Sequence, residues 1–293
     1  MNEYIYQLKN KYKYSDELLN FLSNLIPCLI NYYGEEYKNI IFDALMNCEI
    51  HIQDKTENPK KFLNKYFNVN EEWKIPFSAG AFYHRKIYLK NNQLRENSII
   101  YIVTGGPEFY IPFRFDNNQH IDKLIHEILH LIKGYGKLKI EENHIIELSG
   151  LRKNFYTYDL LNGIVFEKHQ NSGIEEAFNC VETSQILELM TGRKQEILGY
   201  KDAGEIVKIM LENSDFSQVI RKSQFGGDDS WIQYLGEEQS KILIENLEIL
   251  VLSIFASFKI LNTPEKIKKF NQIKQNARDE LNKILNNFFS KKI

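Results

Sequence analysis

The stretch Asn118-Gln-His-Ile-Asp-Lys-Leu-Ile-His126-Glu127-Ile-Leu-His130-Leu-Ile-Lys-Gly134 decides how the rest of the chain is read. Apolar residues recur at Ile121, Leu124, Ile125, Ile128, Leu129, Leu131 and Ile132, the spacing of a helix face packed on a core. Asn117 or Asn118 can cap its start, and Gly134 and Gly136 stand where a helix would stop. His126 and His130 are four residues apart, so they project from one face about a turn apart and can chelate one ion. Glu127 follows the first of them, where its carboxylate can reach a metal-bound water without being a ligand. The plain alternative is a core helix with two satisfied histidines and a surface glutamate.

Working outward, the 293 residues are 43% hydrophobic with a formal net charge of −2. That composition is globular and large enough for one sizeable core or two smaller ones. A near-neutral balance gives no electrostatic case for nucleic acid or an anionic membrane as partner. Cys28, Cys48 and Cys180 include no close pair, which argues against a disulfide scaffold and a cysteine-rich zinc site. Residues 1–16 are polar and carry no apolar run resembling a secretory signal. Residues 249–258 are apolar but too short to span a bilayer. The expectation is a soluble, cytoplasmic protein.

From residue 15 to about 67 the pattern is helical, with Pro27 expected to kink or divide the first helix. Between residues 79 and 115 the period changes. Residues 86–90, 98–104 and 108–115 are short, rich in Ile, Tyr, Val and Phe, and separated by turn signals, which predicts an antiparallel sheet. Pro112 marks the last as an edge strand, where an extended peptide could add, with Arg114 as a possible contact. After the motif helix, residues 142–148 and 151–160 predict a second, irregular β element, and Gly173 opens a helical stretch to 191. Helices are expected again at 203–211, 239–260 and 264–289. This organisation divides as an N-terminal helical region (1–75), a core (76–235) and a C-terminal helical region (236–293). The fold class expected is α+β.

A catalytic zinc takes three protein ligands and leaves one position for water. A third histidine six residues past the second is ruled out, because that position is Gly136. A glutamate on a later helix is available in Gly173-Ile174-Glu175-Glu176-Ala177-Phe178-Asn179. Ile174, Phe178 and Val181 make the segment apolar enough to pack. Glu176 is the first choice, then Glu175, then Glu182.

HEILH followed by this segment resembles the gluzincin group of zinc metallopeptidases, in which a glutamate on a second helix completes the site. Ile145 through Ser149-Gly150-Leu151-Arg152, then residues 173–183, are also similar to little-characterised bacterial HExxH proteins. The resemblance covers about residues 101–191. It implies a zincin-like fold, zinc held by His126, His130 and Glu176, and Glu127 as the base. Two positions depart from the pattern. Cys180 stands four after Glu176, where such proteins commonly carry an acid, so support for a histidine ligand must come from Asn179 or Asp122. The spacing between His130 and Glu176 is closer to that of lethal-factor-like toxin proteases, which place a tyrosine seven residues before the glutamate. Here that position is His169.

The resulting expectation is a zinc-dependent endopeptidase acting on a peptide or protein substrate, with Glu127 and His169 as catalytic groups. Tyr156, Tyr158 and Tyr200 are the other candidates for the second oxyanion donor. The alternative is a zincin-fold binding or regulatory protein that retains its metal without hydrolysing anything.

Overall fold

The computed structural model describes residues 1–53, 55, 57–68, 81–90, 93–102, 112–141, 144–159, 163–256 and 263–289. Helices α1 (Asn2–Tyr12), α2 (Asp16–Tyr33) and α3 (Lys38–Met46) precede strand β1 (Glu49–Ile52). Helix α4 (Pro59–Phe67) and strands β2 (Phe82–Lys90) and β3 (Gln93–Ile102) lead to the motif helix α5 (Asn118–Gly134). Four strands follow: β4 (Leu138–Glu141), β5 (His144–Ser149), β6 (Arg152–Asp159) and β7 (Gly163–Gln170). The later described elements are helices, α6 (Ser172–Thr191), α7 (Lys201–Leu211), α8 (Ser214–Gly226), α9 (Ser230–Leu235), α10 (Glu237–Ala256) and α11 (Pro264–Ile284). The protein is α+β, and its described residues form two small sheets among many helices. Among the described residues, no helix is long and apolar enough to cross a membrane.

The chain separates into two compact units. The first comprises Met1–Tyr135, Tyr158–Val165 and Leu189–Gly192. Its sheet has the order β1-β3-β2. β2 runs antiparallel to β3, but β1 pairs with β3 in parallel, so the sheet is mixed where an antiparallel one was expected. Ile99, Ile100, Tyr101 and Ile102 are all fully buried, the continuous apolar run of a central strand covered on both faces. Ile99 and Tyr101 pack on Leu63 and Phe67 of α4, which leaves Ile100 and Ile102 to the opposite face. Helix α5 packs against β2, β3 and α3. Helix α2 starts on Ser15, whose hydroxyl accepts from the Leu18 N–H at 3.2 Å, a standard N-cap. It continues through Pro27 as one helix, so of the two expected outcomes, a kink or a division, the division does not occur. Nor do residues 112–115 form a strand. Residues 108–111 lie outside the described residues, and the edge strands of this sheet among the described residues are β1 and β2.

The second unit comprises Gly136–Thr157, Phe166–Glu188 and Arg193–Ile293. The second sheet of the protein has the order β4-β5-β6-β7, regular where an irregular element was expected. Its antiparallel register pairs Ile140 with Ile145 and Ile145 with Tyr156. The helical core of the unit gathers Ile174, Phe178 and Val181 of α6 with Phe216, Trp231 and Leu247. Helices α8 and α9 fall between residues 211 and 239, where no helix was expected.

Candidate metal centre

Helix α5 begins where Asn117 accepts from the Gln119 N–H at 2.9 Å. Its apolar positions Leu124, Ile125, Ile128 and Leu131 are fully buried, which fixes the helix's rotation and with it the direction of its polar residues. The rings of His126 and His130 lie 4.9 Å apart at 75°. His130 is 4% exposed, and His126 and Glu176 are half-buried. One ligand atom from each of His126, His130 and Glu176 lies within 4.8 Å of the other two. Two imidazole nitrogens and one carboxylate oxygen are a donor set that catalytic zinc takes, and donors about 2 Å from a tetrahedral ion lie about 3.3 Å apart. The residue types present fit the ion, and the side chains would draw in by up to about 1.5 Å to hold it.

The neighbouring glutamate has a different job. Glu175 is fully buried, and its Oε2 accepts from the Leu151 N–H at 2.6 Å. Leu151 belongs to the turn between β5 and β6, where Gly150 has φ +61° and a Cβ would stand 2.2 Å from the Glu175 carboxylate. Glycine at 150 thus serves both the left-handed backbone and the close approach of the carboxylate. Glu182, one further candidate, is fully buried and is not in the group with the histidines.

Glu127 is half-buried, and its Oε2 accepts from the Tyr83 backbone N–H of β2 at 2.6 Å. The same strand grips the helix again two residues on. Arg85 donates from Nη1 to the Gly134 carbonyl at 2.9 Å and from Nε to Glu96 Oε2 at 2.8 Å. Its side chain is 2% exposed. A guanidinium there satisfies a carbonyl at the helix C-terminus and favours the negative end of its dipole. Neither residue was singled out from the sequence, which has no local signal for a contact made 44 or 49 positions away. Arg85→Ala is expected to destabilise the protein by about 2–4 kcal/mol, because it leaves Glu96 and a buried carbonyl without their donor. The urea midpoint should fall at unchanged slope; an unmoved midpoint would show that β2 does not hold the helix through Arg85.

Asp122 lies one turn before His126 and is half-buried. Burial pushes its carboxyl up to about 6, while the charge of His126 works against that rise. An unfolded aspartate ionises near 3.8, so between about 4 and 6 the folded carboxyl holds a proton that the unfolded one has released. This group therefore costs stability as pH climbs through that window, and the cost is largest above 6. Asp122→Asn should remove the dependence and stabilise metal-free protein by about 1–2 kcal/mol at pH 7 relative to pH 4. Parallel urea curves for the two proteins across the window would contradict it.

The remaining candidates are placed as follows. His169 is exposed on β7, its ring 6.3 Å from that of Phe166, and it is not in the group of three. Tyr156 donates its hydroxyl to Glu147 Oε2 at 2.7 Å, so its proton is already committed to a buried carboxylate. Tyr200 sits at the start of α7 with φ 43°. The Tyr158 side chain lies outside the described residues. Arg114 is paired with exposed Asp116. Asn179 and Cys180 are both buried on α6. A comparison of the chain with protein-family models, curated proteins and solved structures finds no match to any of them.

Proposed function

We propose that the protein is a zinc-dependent metallopeptidase with a zincin-like site, its zinc held by His126, His130 and Glu176. The observation that carries the reading is the convergence of these three donors within 4.8 Å, with Glu127 adjacent to the first of them in sequence. A zinc ion bound there would polarise a peptide carbonyl and make water nucleophilic near neutral pH. Glu127 is the proton carrier: it accepts a proton from the attacking water and delivers it to the leaving amine. The Tyr83 N–H fixes one oxygen of that carboxylate. His130 is almost fully shielded, so solvent is kept from one side of the site.

The test is zinc content by elemental analysis together with cleavage of a peptide library, with and without a chelator. One zinc per chain and chelator-sensitive cleavage are expected. Stoichiometric zinc with no cleavage of any peptide would leave the binding-protein reading, and absence of zinc would overturn both.

A further inference from the structure

We propose that Glu248, far along the chain on α10, is a positioning residue for Glu176; the assignment rests on the metal reading above. Helix α6 starts at Ser172, so the backbone N–H groups of its first turn have no partner within the helix. The N–H of Glu175 finds the Asn171 carbonyl at 3.2 Å. The N–H of Gly173, a buried residue, is taken by Glu248 Oε2 at 2.5 Å. A carboxylate at that point forms a short, charge-assisted bond and also complements the positive end of the helix dipole.

The contact is built for closeness. A Cβ on Gly173 would stand 2.7 Å from the Glu248 Cα and 2.4 Å from its Oε2, so only glycine lets the two backbones approach this way. Leu247 and Leu250, either side of Glu248, lie in the same core as Ile174 and Ala177. The first turn of α6 is thus pinned twice, at Gly173 by Glu248 and at Glu175 by the Leu151 N–H. Glu176 is the next residue and the same turn carries it. Its own side chain is half-buried, and the turn sets where the backbone presents it. Without Glu248 the Gly173 N–H is a buried donor with no acceptor, the turn loosens, and the ion must order Glu176 as it binds.

The experiment is zinc affinity by competition with a chromogenic chelator, at a temperature well below unfolding, on the full chain. Glu248→Ala should bind zinc about 10-fold more weakly, the size expected when an outer support of a metal ligand is removed. Glu248→Gln, which keeps an acceptor for the Gly173 N–H, should recover most of that loss. Leu243→Ala is the control, since Leu243 is fully buried on the same helix but more than a turn from Glu248. It should lower the melting temperature and leave zinc affinity within about twofold. Should Glu248→Ala not fold, Glu248→Asp, one methylene shorter, carries the same expectation. Wild-type affinity in Glu248→Ala or Glu248→Asp, or an equal loss in Leu243→Ala, overturns the assignment. Failure of the wild-type chain to bind zinc removes the metal reading itself and is seen before any variant is made.

Discussion

Glu127→Gln keeps its zinc and loses about 10³-fold or more of its peptide hydrolysis: that is the largest effect expected of any single substitution. The amide has the shape of the carboxylate, and its oxygen can still accept from the Tyr83 N–H, so β2 and α5 stay joined. What it lacks is basicity. General-base assistance is worth about 10² to 10⁴ in rate. The measurement is the initial rate on a cleaved library peptide, with zinc content determined on the same preparation. Peptidase activity retained in zinc-loaded Glu127→Gln would sink the mechanism, whatever the identity of the ligands.

His126→Ala is expected to lower zinc affinity by about three orders of magnitude, more than the 10- to 100-fold seen for outer supports. Two donors remain after the change, and one of them, Glu176, is a carboxylate on a half-buried side chain. His126 is itself only half-buried, while the apolar face of α5 is made by Leu124, Ile125, Ile128 and Leu131. The fold should therefore survive, with an unchanged far-ultraviolet circular dichroism spectrum and a melting temperature no longer raised by added zinc. Undiminished metal by elemental analysis in this variant would refute the ligand assignment while leaving other metal sites open.

The parts of the molecule legible in the sequence are those whose signals are local. The motif helix has its periodicity, its Asn117 cap and its end at Gly134 within a span of 18 residues. The start of α6 at Gly173 was readable for the same reason. Strand β1 was not: its four residues sit inside a helical region, and it becomes a strand only by pairing with Ile99–Ile102, about 50 positions later. β4 is short and three of its four residues are exposed, so there was no alternation to read. The segment ending at Phe115 went the other way. Its β-branched and aromatic residues suggested a strand, but Phe113 and Phe115 instead stack on each other's edges, on His120 and on Phe21. At the candidate site, residue types were legible and their restraints were not. Tyr83, Arg85 and Glu248 reach it through contacts 44 to 75 positions apart, which no periodicity encodes.

The adjacent glutamates on α6 have one further consequence, for how the gene tolerates change. Glu175 fills the space left by the missing side chain of Gly150 and closes a turn, whereas Glu176 belongs to the group with the two histidines. Two neighbouring codons for the same amino acid are therefore under separate selection. In a saturation library sorted for folded protein, position 175 should be intolerant and position 176 permissive; sorted for zinc uptake, both should be restricted. A library in which the two positions behaved alike under the first sort would mean that the turn at Gly150, and not only the metal, depends on Glu176.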